Sequence, residues 1–283
     1  MSKSVVITYF GTTTLLFDDG ETELLFDCHV SRPSVFKCVF GKLSTNKEVA
    51  DRVLQEFDFC RLKGIFISHS HHDHVLDAPY FSVKTGAVIY GSSSTLNISR
   101  GNGVSNDRLQ SYQDSTEYQV GDFHIRVLMS IHSAPHWYNN DLGKTIDAPL
   151  KLPASIKEFK EGGSFDFLVS YGDRKYLIRP SYNYLEGQLD NIHADVLFLG
   201  IGGLSKDTPE RQKSFFAETI GKTKAEIVIP IHWDNFFSPL FGEIKGMPLL
   251  MENTGASLRL LSDYSAAYNV HCFVQLPLTS MNF

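Results

Sequence analysis

The sequence has few cysteines, and they show no regular spacing. Only four occur in 283 residues, namely Cys28, Cys38, Cys60 and Cys272, and no two of them form a CxxC pair. This pattern excludes a zinc ribbon and a secreted disulfide framework, which both need closely and regularly spaced cysteines. A reducing compartment fits best, and we expect a cytoplasmic protein.

Long apolar runs are also absent. No stretch reaches the roughly 18 apolar residues that a membrane-spanning helix needs. The chain runs from Met1 almost directly into the strand-like segment Val5–Phe10, without the apolar region of a signal peptide. We therefore expect no integral membrane segment.

The sequence has no excess of positive charge. Its 26 lysines and arginines are outnumbered by 32 acidic residues, which gives a formal net charge of −6. A general grip on a phosphate backbone needs clustered basic residues, so we expect no nucleic-acid partner. The stretches GxGxxG, GxxxxGK[ST] and GxSxG are missing too, which argues against a nucleotide cofactor and against a serine nucleophile on a strand-to-helix turn.

The pattern of apolar residues predicts a mixed α/β protein. The β-rich runs Val5–Phe10, Thr13–Phe17 and Glu23–Phe26 are separated by turn residues and predict an antiparallel meander. Apolar residues at three- and four-residue spacing then predict a helix over Thr45–Phe57, and Ile65–Ile67 reads as a short buried strand. Meanders followed by β/α alternation favour an α/β sandwich.

The same signals recur in a looser form further along the chain. We expect one domain over residues 1–283, with two halves that meet near residues 150 to 165. The segment Ser133–Pro153, which leads up to this boundary, is a long loop rich in Pro, Asn and Asp. Loops of this length are often functional, so we place part of a substrate pocket there. The other predicted elements are a helix over Val75–Phe81, strands at Ala87–Tyr90, Phe123–Leu128 and Val127–Ile131, a hairpin of Phe165–Ser170 and Lys175–Ile178, a strand at Val196–Leu199, a helix over Pro209–Ile220 and a strand at Ile227–Ile231.

A dense set of metal-binding residue types follows the buried strand. His69, His71, His72, Asp73 and His74 all lie within six residues. Imidazole and carboxylate groups are the usual ligands of hydrolytic zinc sites. His69 and His71 are two positions apart and point the same way if the backbone is extended, while Asp73 and His74 can face a second ion. A solvent-exposed histidine-rich loop that binds metal adventitiously is the alternative.

The spacing His69-x-His71-x-Asp73-His74 resembles the HxHxDH signature of the metallo-β-lactamase superfamily. The resemblance implies a four-layer αβ/βα sandwich and two further metal histidines, each after a strand. His132 fits the first of these better than His136, which lies past a proline and is expected to be a pocket residue. His232 fits the second. The resemblance also implies that Asp27 supports a histidine without binding metal.

One residue departs from the superfamily pattern. Where an aspartate usually bridges two metals after a strand of the second half, this sequence has Ser181. A neutral hydroxyl is a poor bridge between two dications, so the number of ions is expected to be one or two. Zn²⁺ is the expected metal, with Mn²⁺ and Fe²⁺ as alternatives.

The resemblance implies a hydrolase that uses metal-activated water, with Asp73 orienting that water or accepting its proton. The triplet His232-Trp233-Asp234 is similar to the branch of ascorbate-6-phosphate lactonase and N-acylethanolamine phospholipase D, which implies a small phosphodiester or a lactone or other ester as substrate. A nuclease is the next enzyme class, and a non-catalytic metal-binding or sensor protein is the alternative outside enzymes. An oligomer is possible. The expected substrate-binding residues are His136, Trp137, Ser181 and Tyr182, with Tyr138, Tyr184, Phe236 and Phe237 as further aromatic candidates.

Overall fold

The computed structural model describes residues 4–112, 116–134 and 140–283, and these ranges form two seven-stranded mixed sheets flanked by helices. In each sheet, three antiparallel pairs are followed by three parallel pairs. This is the predicted α/β sandwich, and the predicted opening meander is confirmed as its first three consecutive strands.

The first sheet has the strand order β14-β1-β2-β3-β4-β5-β6. Its strands are β1 (Val6–Gly11), β2 (Thr14–Asp18), β3 (Glu23–Phe26), β4 (Leu62–Phe66), β5 (Val88–Gly91), β6 (Leu109–Ser111) and β14 (Thr279–Asn282). The second sheet has the order β13-β12-β11-β10-β9-β8-β7. Its strands are β7 (Glu117–Val120), β8 (Phe123–Ser130), β9 (Ser164–Tyr171), β10 (Arg174–Arg179), β11 (Val196–Gly200), β12 (Ile227–Ile231) and β13 (His271–Cys272).

Helices cover the outer faces of both sheets. They are α1 (Val35–Phe40), α2 (Lys47–Glu56), α3 (His72–Val75), α4 (Ala78–Thr85), α5 (Ser93–Gly101), α6 (Pro209–Phe216), which continues as a π-helical turn over Ala217–Gly221, and α7 (Thr254–Ala267). Short 3-10 turns lie at Phe59–Arg61, Asn106–Arg108, Ile156–Glu158 and Leu204–Lys206. Among the described residues, none of the helices combines the length and apolar character that crossing a membrane requires.

The predicted helix over Val75–Phe81 is wrong in its bounds. The structure has two helices there, because α3 ends at Val75 and α4 begins at Ala78. Pro79 stands in the first turn of α4, where a backbone N–H would have no partner within the helix. Inside one continuous helix, the same proline would remove a backbone hydrogen bond and clash with the preceding turn. The carboxylate of Asp77, between the helices, accepts hydrogen bonds from the backbone N–H groups of Val30 and Ser31, both at 2.8 Å.

Aromatic side chains fill the space between the two sheets. The fully buried Phe17 of the first sheet lies 5.4 Å from Tyr176 and 6.1 Å from Phe198 of the second sheet, measured between ring centroids. Such edge-to-face pairs add to the hydrophobic free energy of burial. A second apolar cluster lies on the other face of the first sheet, under α2, α4 and α5.

The chain passes from the first sheet to the second between Ser111 and Glu117. This crossing lies ahead of residues 150 to 165, where the sequence placed the meeting of two halves. That the whole chain is one domain stays a prediction.

Candidate metal centre

The histidine-rich loop follows β4, and hydrogen bonds from two backbone N–H groups fix its start. The N–H of Ser68 donates to the carboxylate of Asp27 at 2.7 Å, and the N–H of Ser70 donates to the carbonyl of Glu161 at 2.8 Å. The backbone is extended at His71, and the short helix α3 begins directly after it. Because of this change from extended chain to helix, the side chains before His72 and those after it can reach two neighbouring places.

The structure brings the six predicted ligands together as two adjacent groups of three. In each group the potential ligand atoms lie within 4.8 Å of one another. The first group is His69, His71 and His132, and the second is Asp73, His74 and His232. The rings of His69 and His74 are only 3.7 Å apart between centroids, so the groups share a border. Either group offers a ligand set that suits Zn²⁺.

Asp27 fixes the orientation of His74. Its carboxylate oxygen lies 2.7 Å from Nδ1 of His74 and also accepts a hydrogen bond of 2.6 Å from the hydroxyl of Thr13. Because an ionised carboxylate only accepts hydrogen bonds, Nδ1 carries the hydrogen and Nε2 is left as the ligand atom. This contact is the one expected for an acidic residue that supports a histidine.

A second carboxylate has the same relation to His71. Both carboxylate oxygens of Asp141 lie 3.1 Å from Nε2 of His71, which leaves Nδ1 of that ring to face an ion. Asp141 was not identified from the sequence. It lies in the loop that was predicted to form the pocket, but nothing in the local pattern distinguishes it from the other polar residues there.

His132 lies two residues beyond the end of β8 and is held from two sides. Its Nδ1 lies 3.1 Å from the carbonyl of Ser133, and its own carbonyl accepts a 2.7 Å hydrogen bond from the side-chain amide of Asn183. Asn183 follows β10 and was likewise missed in the sequence. Nε2 of His132 remains as the ligand atom.

His232 follows β12 in a left-handed backbone conformation, with φ of 58°. Its N–H donates to the carbonyl of Thr12. Asp234 strengthens the same junction, because its carboxylate accepts hydrogen bonds from Thr12 N at 2.7 Å and Tyr9 Oη at 2.8 Å and pairs with Arg32 at 2.6 Å. The His232-Trp233-Asp234 element therefore ties the last histidine to the turn between β1 and β2.

The protonation states of His69, His132 and Asp73 match what metal ligands require, whereas the pKa of His232 is raised, because the opposing effect of burial is outweighed by the hydrogen bond and charge of Asp73. Burial lowers the pKa of His69 well below its usual range and that of His132 to about 3, so both imidazoles are neutral. Burial alone would raise the pKa of Asp73, but the neighbouring His74 and His232 hold it well below its usual range. The buried Nε2 of His69 has no hydrogen-bond partner in the described part of the chain, which fits an atom that coordinates an ion.

A cavity of about 400 Å³ opens over both groups. Ser181, two residues beyond the end of β10, lies in its wall together with Tyr182, Phe236 and Phe237, as the sequence suggested for these residues. Tyr184 instead packs beneath the guanidinium of Arg211 at 5.8 Å. The remaining predicted pocket residues, His136, Trp137 and Tyr138, lie outside the described residues.

A known family profile matches the part of the chain that carries most of this centre. The family profile described as the metallo-beta-lactamase superfamily matches residues 45–179, which include the His69–His74 loop and His132. Over this range, which is 135 of the 283 residues, the chain is similar to the metallo-beta-lactamase superfamily. His232 lies beyond the matched range and joins the site only through the fold.

One curated protein and several solved structures resemble this chain in different degrees. A metal-dependent hydrolase of Christiangramia forsetii is 30% identical over 91 residues, which are 32% of this chain and 34% of that protein, so the match spans about a third of the relative's length. The metallo hydrolase Igni18 of Ignicoccus hospitalis aligns with a TM-score of 0.61 and 16% identity over 99% of this chain and 98% of its own. YhfI of Bacillus subtilis aligns with a TM-score of 0.61 and 14% identity over 100% of both chains. At such identity the structural likeness shows the fold.

Proposed function

We propose that this chain is a metal-dependent hydrolase that acts on a small phosphodiester or on a lactone or other ester. The observation that carries the proposal is the pair of adjacent three-ligand groups, which border one cavity of about 400 Å³. The curated relative is named a metal-dependent hydrolase, and a protein of similar fold from gut bacteria of Delia radicum is named an isothiocyanate hydrolase. Because one fold hosts many chemistries, the bond must be chosen from the site.

His69, His71 and His132 would hold one ion, and Asp73, His74 and His232 a second, with Zn²⁺ preferred and Mn²⁺ or Fe²⁺ as alternatives. When bound, such ions supply Lewis-acid chemistry and lower the pKa of a bound water to about 7. Asp73 is ionised, since its pKa is held well below its usual range, and its carboxylate lies within the second group, 3.5 Å from Nε2 of His232. An ionised carboxylate at this place could accept a hydrogen bond from the attacking water and orient it. Asp141 and Asp27 keep their histidines in the ligand tautomer.

Ser181 decides how many ions we expect. Without a shared carboxylate the repulsion between two cations is less compensated, so the weaker site should empty first. We expect the protein to keep one ion at His69, His71 and His132 after dialysis against metal-free buffer. Ser181→Asp should raise the content toward two ions, as counted by elemental analysis. Two ions in the unsubstituted chain would mean that another residue bridges them.

Turnover of chromogenic substrates tests the proposal. Bis(4-nitrophenyl) phosphate and 4-nitrophenyl acetate would be offered with added Zn²⁺ or Mn²⁺, and we expect metal-dependent release of nitrophenol. His69→Ala should lose at least about a hundredfold in rate, since it removes a ligand atom of the first group. The matched control is His124→Ala, which removes an exposed histidine of β8. Equal rates in the two variants would refute the assigned centre.

A non-catalytic metal-binding or sensor role is the second candidate, and Ser181 is the observation that favours it. It predicts tight metal binding without turnover of either substrate class, so the same assay separates the two proposals.

A reducing, cytoplasmic location remains part of the proposal and is supported by the four cysteines, which are all free.

The branch of ascorbate-6-phosphate lactonase and N-acylethanolamine phospholipase D remains the proposed place within the superfamily. It rests on the His232-Trp233-Asp234 triplet, whose aspartate holds the turn between β1 and β2. A nuclease is disfavoured by the net charge of −6, which argues against a general grip on a phosphate backbone.

A further inference from the structure

Three lysines lie in the wall of the catalytic cavity and take no part in the metal centre. They are Lys144, Lys157 and Lys160, and all come from the segment between β8 and β9. The chain as a whole is acidic, with a net charge of −6. A local group of cations beside the proposed metal site therefore runs against the charge of the whole molecule.

The segment that carries these lysines is firmly held. Ser155 and Glu158 form a reciprocal capping box that fixes the 3-10 turn containing Lys157. The backbone carbonyl of Lys144 accepts a 2.9 Å hydrogen bond from Gly162 N. The carbonyl of Glu161, the residue before Gly162, accepts a hydrogen bond from Ser70 N of the histidine-rich loop, so the backbone of the segment has a fixed place relative to the metal ligands.

The lysines are not neutralised by the acids of the cavity. Within residues 4–112, 116–134 and 140–283, no carboxylate forms an ion pair with any of the three. The cavity acids are engaged elsewhere, since Asp141 faces His71 and Glu252 accepts from Gly203 N at 2.6 Å. The ammonium group of Lys144 donates to the carbonyl of Asn140 at 3.2 Å, and that of Lys160 donates to the carbonyl of Lys157. These neutral acceptors leave the charge uncompensated, and each ammonium keeps further N–H donors for an anion in the cavity.

Part of the wall is apolar. This part consists of Ile156, Phe159, Phe236, Phe237, Met247 and Met251. A cavity of this size with an apolar wall and a few placed charges suits an organic ligand with one polar end. Methionine side chains adapt their shape to such ligands.

We propose that the cavity binds an organic anion whose apolar body packs on the aromatic and methionine side chains, while its phosphate or carboxylate oxygens contact Lys157 and Lys160. The inference rests on the proposed function, since it names the class of substrate that the hydrolase would take. It favours an ester that carries an anionic group over a neutral lactone.

Binding of three naphthalene compounds tests this without any turnover. The full chain, first freed of metal and then with Zn²⁺ restored, would be dialysed against 2-naphthyl phosphate, 2-naphthoate and neutral 2-naphthol. We expect both anions to bind more tightly than naphthol and more weakly at high salt. A preference for phosphate or for carboxylate would identify the source of the anionic group.

The double variant Lys157→Gln/Lys160→Gln should bind the anions at least about threefold more weakly, because each exposed ion pair contributes only a modest free energy. Its affinity for naphthol should not change. The control Lys63→Gln/Lys175→Gln removes two exposed lysines from strands outside the cavity and should match the unsubstituted chain.

Unchanged anion binding in the cavity variant, or naphthol binding as tight as that of the anions, would overturn the inference. Anion binding that depends on Lys157 and Lys160 in a protein that hydrolyses nothing would sustain it while refuting the hydrolase.

Discussion

His72 turns away from both ligand groups, although it stands in the middle of the histidine-rich loop. Its Nε2 lies 3.9 Å from the sulfur of Cys38, and its ring meets those of Phe159 and Phe236 at centroid distances of 6.2 and 6.4 Å. Burial lowers its pKa to about 4, so it is a neutral core side chain. Adjacent residues of one loop thus have different roles, because His71 and Asp73 belong to the ligand groups while His72 packs against other side chains.

The difference between His72 and its neighbours gives the first prediction. His71→Ala and His132→Ala should each lower the metal retained after dialysis by at least about tenfold, because each removes a ligand atom. His72→Ala should keep the metal, although it leaves a small cavity. Elemental analysis of the three purified variants measures this. A loss in His72→Ala as large as in the other two would show that the ligand register is wrong.

Glu23, at the start of β3, gives a prediction on pH. Burial raises its pKa to about 7, even though Arg61 lies 3.2 Å away and opposes the shift. The folded state therefore binds this proton more tightly than the unfolded state, whose pKa is near 4.5. Stability from this group is present below about pH 4.5 and is lost as the pH rises through 7, by roughly 3 kcal/mol at most.

Glu23→Gln should remove this dependence, so the variant gains stability relative to the unsubstituted chain between pH 5 and pH 8. Urea unfolding at both values measures the change. Glu21→Gln, at an exposed neighbouring position, is the control and should leave the dependence as it is. A gain that is the same at both pH values would argue against a buried, protonated Glu23.

Spacing along the chain explains which site residues the sequence could reveal. His69, His71, Asp73 and His74 are close neighbours, so their pattern is visible in one dimension. Asp141 and Asn183 contact His71 and the carbonyl of His132 across 70 and 51 positions. No local periodicity encodes such contacts, and acids and amides are common in polar loops.

At the scale of elements, the segment from Asn140 to Gly163 acts as a brace for the metal centre. Asp141 accepts from Glu161 N at 3.2 Å while it faces His71, and Gly143 N donates to the Glu161 carboxylate at 2.7 Å. These bonds join the two ends of the segment and hold Asp141 beside the imidazole. The predicted long loop is therefore an ordered part of the site over its described range.

Removal of this brace should weaken metal binding without unfolding the protein. We expect Asp141→Ala to lower the metal affinity by about 10- to 100-fold, as is common for carboxylates that orient ligating histidines. Asp141→Asn should lose less, since its amide oxygen can still accept from Nε2. Competition with a chromogenic chelator measures the affinity, and Asp147→Asn, an exposed acid of the same segment, serves as control. Equal affinity in Asp141→Ala would mean that His71 is oriented by other contacts.

Strands were easier to predict than helices for a physical reason. The buried strands are apolar over most of their length, as in β3, β11 and β12. By contrast, α7 buries Ser257, Leu261 and Ser265, so its inner face is mostly small and polar and shows little apolar periodicity. The sequence analysis identified neither this helix nor α1 and α5.

For the whole molecule, the contacts that close the first sheet are the most distant in sequence. β14 pairs with β1, and the backbone of Val5 exchanges hydrogen bonds with that of Phe283 at 3.1 and 2.9 Å. A short polar strand carries no signal for a partner so far away, and only the packing of the whole chain selects it. The overall α/β class, by contrast, follows from the order of local patterns.

The aromatic contacts between the sheets lead to a prediction on how the molecule unfolds. Phe17 of the first sheet lies against three aromatic rings of the second, those of Phe123, Tyr176 and Phe198. The packing of the two sheets against each other therefore includes this side chain. Phe17→Ala should cost about 3–5 kcal/mol through lost burial and the cavity that remains. If the chain is one domain, amides of β2 and β10 should lose hydrogen-exchange protection equally, and thermal unfolding should remain one transition. Phe36→Ala, where the ring is 73% exposed, should change stability by less than about 0.5 kcal/mol. Loss of protection in the first sheet alone, or two separate transitions, would show that the sheets are independent units.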